Sequence, residues 1–274
     1  MTAPHLEAVL PDLVRFTKQL ANDCQTSALT DWDAFRQKVR IFYTAGRMTQ
    51  IEAVVPGWIH MASYADQQTL IHVTSVLVAL YLLPEYQSAS TDQKHIIEWT
   101  VMFHDVAKKA RRGKHDFTHG FRSAAIAGAA LALIGFPPHP DFAAHIFTWK
   151  TLTENAIVYH ASHDEYIQDN TQLPQMINGI HNLYGQQSAA SLIVKGVFFH
   201  MSIDNDPGYP TLAPLTESEI QRYINLDLFP ILKMMMLVDS DGWNLFDKTE
   251  GLRLRNQTIA VFDNIARMNS FASR

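Results

Sequence analysis

The sequence predicts an all-α protein, and three observations carry that prediction. Apolar residues recur at helical spacing in nearly every long segment, sustained apolar/polar alternation is missing, and turn signals lie too far apart for a strand-rich fold. The first expected helix, about 6–20, is amphipathic, and the second, about 31–47, opens at the capping pair Thr30-Asp31. A third, about 67–83, is almost continuously apolar ("VTSVLVALYLL") and should stop at "LPEY". Thr91-Asp92 opens a fourth, about 91–110, and a fifth, about 118–134, ends at "GFPPHP". Further helices are expected over about 140–166, 174–183 and 188–203, the last running toward a Pro-Gly turn in "DPGYP" at 206–210. "TESE" at 216–219 has the spacing of a capping box and opens a helix over about 216–225. Two more, about 228–247 and 251–270, complete the chain. Residues 1–60 read as a helical cover packed on a main body of 61–274.

Bulk properties narrow the function. The 274 residues are 47% hydrophobic and 18% charged, ordinary values for a packed globular protein. A formal net charge of -5 argues against an extended nucleic-acid surface, so any phosphate recognition must be local. No apolar run approaches the roughly 20 residues that span a bilayer, and the N-terminus carries no secretory pattern. The single cysteine, Cys24, excludes an intramolecular disulfide framework. These features predict a soluble, cytoplasmic protein, monomer or homo-oligomer.

The chemistry is concentrated in three apolar segments. In "WTVMFHDVAKKARR", His104 and Asp105 interrupt a run that belongs inside the protein. A buried carboxylate is costly unless paired or coordinated. The pair is satisfied either by hydrogen bonds within a helical core or by a divalent cation. His72 in "TLIHVTSVLVALYLL" and Asp239 in "ILKMMMLVDSDGW" place one candidate ligand on each of two further apolar helices.

The order His72, then the His104-Asp105 doublet, then Asp239 resembles the HD-domain superfamily of metal-dependent phosphohydrolases. "HVTSVL", "MFHDVAK" and "LVDSDG" are the local matches, and the pattern spans about residues 64–245. The resemblance implies an HD-type helical bundle with an N-terminal helical extension. It also implies hydrolysis of a phosphate ester, possibly of a nucleotide, with a small phosphorylated molecule as the substrate. Its metal ligands would be His72, His104, Asp105 and Asp239; Asp241 is the alternative to Asp239, which better matches the family's ending. The donor set suits Mn, Fe, Co, Ni, Zn or Mg.

The same resemblance gives His119, ahead of Ser123-Ala124, a catalytic or second-metal role. Lys108, three residues after Asp105, takes a catalytic and phosphate-holding role, and Arg122 is expected to hold phosphate beside it. His160, three before His163 in the expected 140–166 helix, is assigned to the inner face as a substrate-binding residue. With His119 and His160 the set would resemble the two-metal branch of the superfamily, which includes phosphodiesterases and a di-iron oxygenase. The segment "HMSIDNDPGYP" at 200–210 is expected to be a turn and not part of the site.

Overall fold

The computed structural model describes residues 4–62, 67–109, 116–205 and 211–271. Among them are fifteen α-helices and one two-stranded antiparallel hairpin, so the all-α expectation holds. The helices are α1 (Leu6–Val9), α2 (Pro11–Gln25), α3 (Trp32–Phe42), α4 (Ala45–Glu52), α5 (Trp58–Ala62), α6 (Gln68–Leu82), α7 (Pro84–Ser88) and α8 (Thr91–Phe103). They continue with α9 (His119–Ile134), α10 (Phe142–Asn155), α11 (Leu173–Tyr184), α12 (Ala189–Phe199), α13 (Glu217–Tyr223), α14 (Leu228–Trp243) and α15 (Lys248–Met268).

The differences from expectation follow local chemistry. Pro11 begins a new helix at its first position, and Pro84 begins α7 where only a stop was expected, since proline suits the first turn. The expected 31–47 helix is two, because the Thr44 side chain caps α4. Asp31 caps α3 through Ala34 N at 2.9 Å, and Thr216 and Glu219 form the expected capping box. The helix expected over 140–166 ends at Asn155. Ile157–His160 and Glu165–Gln168 instead pair as β1 and β2, a hairpin of β-branched and aromatic residues. The "DPGYP" turn and the basic residues Arg111, Arg112 and Lys114 lie outside the described residues.

Helix α6 is apolar on all sides and therefore central. It packs on α14, α2 and α8, while α12 packs on α9, α8 and α14. The N-terminal segment shares this core: Leu6, Leu13, Phe35 and Trp58 are buried in the same cluster as the main body. Polar ties reinforce the join. Tyr43 Oη lies 3.1 Å from Thr74 Oγ1 on α6, and Trp99 Nε1 of α8 donates to Pro4 O at 2.8 Å.

Two close approaches fix the helices that carry the site. On α14, Gly242 stands so near α6 that a Cβ there would lie 2.6 Å from Val76 Cγ2 and 3.0 Å from Val76 N. Ser75 Oγ of α6 donates across this contact to Gly242 O at 2.7 Å. On α9, a Cβ on Gly120 would meet the Phe198 and Val197 carbonyls of α12 at 3.2 and 3.3 Å.

Buried Glu98 on α8 accepts a hydrogen bond from Tyr86 Oη at 2.6 Å. Burial raises its pKa, and the Tyr86 bond offsets only part of that. The folded protein therefore holds this proton more tightly than the unfolded chain. The stability Glu98 contributes is full below the ordinary carboxylate range and is lost as pH rises through the raised value. Glu98→Gln keeps an acceptor for Tyr86 and removes the titration. Its melting temperature relative to wild type should climb as pH rises from about 4 to 7. Calorimetry at the two ends checks this, and a difference that stays constant with pH would refute it.

Candidate metal centre

Five elements deliver the candidate ligands to one place. His72 comes from the first turns of α6, His104 and Asp105 from the C-terminal end of α8, His119 from the start of α9, His200 from the end of α12, and Asp239 from α14. Helix α8 stops at Phe103, short of the expected 110, and residues 104–107 turn. Ser123 Oγ of α9 accepts from Ala107 N at 3.1 Å and ties that turn to α9.

The six residues form two groups of three that can each hold a metal ion: His72, His104 and Asp239, and then Asp105, His119 and His200. Asp105 also joins the first group. Its Oδ2 lies 3.7 Å from both His72 Nε2 and His104 Nε2, while its Oδ1 lies 2.9 Å from His119 Nε2 and 4.0 Å from His200 Nε2. One buried carboxylate thus faces both groups, one oxygen to each. In the first group His72 Nε2 is 2.8 Å and His104 Nε2 3.8 Å from Asp239 Oδ1.

The imidazole tautomers follow from the backbone. His104 Nδ1 lies 2.7 Å from Val101 O, His200 Nδ1 lies 2.7 Å from Val197 O, and His119 Nδ1 contacts Asp116 O. A carbonyl oxygen can only accept, so each of these Nδ1 atoms carries a hydrogen, and a ring with that single proton turns a bare Nε2 lone pair inward. His119 and His200 therefore oppose their Nε2 atoms at 2.9 Å, beside Asp105 Oδ1. His104 Nε2 is buried without a hydrogen-bond partner, its nearest carboxylates being too distant for one. A proton on His119 would relieve only one of these contacts. A cation in each group meets all of them, and nitrogen and oxygen donors about 3–4 Å apart suit an ion held at about 2.0–2.2 Å from each. The residues therefore fit a divalent metal, in the arrangement where each ligating imidazole donates its other N–H to an outer partner.

The electrostatics agree. Burial, with His119 and His104 nearby, pushes the His200 pKa down to about 3, and burial also lowers that of His72 despite Asp239. Burial alone would raise Asp105 and Asp239. Lys108, His104 and His119 nevertheless hold Asp105 well below the usual carboxylate range, and His72 and His104 do the same for Asp239. The lowered values of His72 and His200 and of both carboxylates favour the deprotonated forms that ligate.

Among the other expected residues, Lys108 is beside the centre, its Nζ 2.8 Å from Asp105 Oδ2 and 5.6 Å from the Trp243 ring centroid. Burial would lower its pKa, but Asp105 and Asp239 raise it, so the ammonium stays charged. Asp241 points elsewhere, pairing with Arg255 at 2.9 Å, whereas Asp239 joins the first group as its candidate ligand. Arg122 does not reach the centre as expected. Its guanidinium is taken by Asp116, Thr118 Oγ1 and Ala107 O, so it braces the loop leading into α9. His160 is not at the centre either: it ends β1, exposed, with Ser162 Oγ 2.8 Å from its Nδ1. The inward placement assumed a helix that the hairpin replaces.

His200 is a candidate ligand that sequence reasoning missed. "SLIVKGVFFH" ends an apolar helix in a histidine as "WTVMFH" does, and attention to the following Pro-Gly signal hid the parallel. A cavity of about 550 Å³ opens onto the centre through Lys108, His200 and Asp239, with Met201, Met236 and Trp243 in its walls. His119 lies behind this lining, so of its two expected roles the geometry fits a ligand. Among the described residues no helix is long and apolar enough to cross a membrane. Compared with family models, with curated proteins and with solved structures, the chain matches none.

Proposed function

We propose that this chain is a metal-dependent phosphohydrolase of the HD type that holds two divalent cations side by side and cleaves a small phosphate ester, such as a nucleotide. The observation that carries the reading is Asp105, with one oxygen toward each group of ligands while three Nε2 lone pairs converge on the same space. His72, His104, Asp105 and Asp239 would hold one cation; Asp105, His119 and His200 would hold the other.

When bound, such a pair supplies an acidified water as nucleophile and Lewis-acid stabilisation of the phosphoryl oxygens. The side chains supply the rest. Lys108, anchored to Asp105 and lining the cavity, offers a fixed positive charge to a phosphoryl oxygen, where it stabilises charge that grows during transfer. Asp239 Oδ1 lies 2.8 Å from His72 Nε2, and this contact fixes the carboxylate at the cavity wall. The Nδ1–H bonds to Val101, Asp116 and Val197 keep three rings from turning. Met201, Met236 and Trp243 limit water around the reacting group, and about 550 Å³ suits a small molecule.

The test is metal content of protein purified without chelator, beside a His104→Ala/Asp105→Ala variant, followed by a screen for phosphate release from nucleotides with Mn, Mg, Ni or Co supplied. About two equivalents of metal per chain, lost in the variant together with phosphate release, is the expected result. Wild type that takes up neither metal nor activity would overturn the reading. Two irons per chain with oxygen consumption and no phosphate release would assign the same donor set to an oxygenase.

A further inference from the structure

Beside the substrate cavity lies a second one, of about 590 Å³, which the reaction does not use. Its walls are Trp32, Arg36 and Arg40 of α3 with Gln68, His72 and Trp243 of the main body. The two cavities share Gln68 and Trp243. The Trp243 indole stacks on the His72 ring with centroids 4.1 Å apart and planes 16° apart, so it forms the partition between them.

Arg36 and Arg40 stand four residues apart and so project from one face of α3. Arg40 makes no hydrogen bond or ion pair with described residues. Arg36 has only a 3.3 Å contact with Asp33, whose side chain is 96% exposed, and lies 5.7 Å from the centroid of Trp32. Such a pairing in water holds a guanidinium weakly. Two available guanidiniums on one wall of a small-molecule-sized cavity are suited to bidentate recognition of phosphate. The Trp32 indole borders the cavity beside the guanidiniums, and Trp243, whose face is stacked on His72, adds an edge, a setting suited to the planar ring of a base or similar heterocycle.

We propose that this α3 cavity is a second ligand site, recognising the phosphate and ring of a nucleoside monophosphate, which shares only His72 with the candidate metal ligands. Its occupant would lie against the ring of His72, and the N-terminal segment would thereby supply a binding wall as well as cover. The site stands independently of the reaction at the metals.

Chelator-treated full-length protein is titrated calorimetrically with AMP and, separately, with inorganic phosphate. Saturable binding of one AMP per chain is expected, weakened at least tenfold by Arg36→Ala/Arg40→Ala. Trp32→Leu should weaken AMP but leave inorganic phosphate unchanged, which separates a nucleotide site from one for free phosphate; equal effects on both would overturn the ring contact and with it the nucleotide assignment. No saturable binding, or an affinity within twofold of wild type in the double arginine variant, would overturn the proposal. Should chelation unfold the chain, phenylglyoxal labelling of the protein as purified replaces the titration. AMP should then protect the peptide holding Arg36 and Arg40 at least threefold, and equal labelling with and without AMP overturns the site. Because neither readout requires turnover, failure here and failure of phosphate release are distinct results.

Discussion

Asp105→Asn should abolish metal-dependent phosphate release and empty both metal positions together. The amide keeps the shape of the carboxylate but places a neutral, partly donating group where Oδ1 and Oδ2 face His119 on one side and His72 and His104 on the other. Loss of an outer partner of a metal ligand costs about 10–100-fold. Loss of the ligand shared by both groups should therefore exceed 100-fold in kcat/KM. Metal analysis and phosphate-release assays on the same preparation check it. A variant that retains one equivalent of metal would show that the first group stands without Asp105, and full metal with full activity would sink the shared-carboxylate reading altogether.

Gly242→Ala should destabilise the fold, and its effect should reach the candidate metal centre. The added carbon would lie 2.6 Å from Val76 Cγ2 and, more stubbornly, 3.0 and 3.1 Å from the backbone N and Cα of Val76. Side chains can rotate away, but the α6 backbone cannot, so α6 and α14 must separate. Overpacking of this kind costs about 1–3 kcal/mol, which in a chain of this size lowers Tm by roughly 2–12 °C. The same two helices carry His72 and Asp239, whose 2.8 Å contact would widen. The expected result is lower thermal stability together with weaker metal affinity. Stability lost with affinity intact would mean that the ligands follow their helices without strain.

Much of this was legible in the sequence because buried charge is conspicuous against apolar surroundings. His72, His104, Asp105 and Asp239 each stand in runs that have no other reason to hold a polar group, and all four meet. Of the residues assigned by periodicity or likeness, His119 and Lys108 stand at the centre, and His160 and Arg122 do not. The inward placement of His160 rests on a helix expected over 140–166, whereas β-branched and aromatic neighbours favour a hairpin. Arg122 was expected at the phosphate because the sequence cannot show that Asp116, six residues earlier, claims it first. His200 required knowing that α12 ends against α9, a contact permitted by the missing side chain of Gly120.

Three of the four candidate ligand imidazoles take their orientation from the main chain, at Val101, Asp116 and Val197. A carbonyl is present whatever side chain its residue bears, so this outer layer leaves no trace in residue identity and survives substitution at all three positions. Natural variation has few means there to retune the ring basicity of His104, His119 or His200. His72 differs, its Nδ1 being buried without a partner among the described residues. Of the four it is the imidazole whose electronic character a neighbouring side-chain change can alter, and so the position through which a preference for one metal over another can evolve.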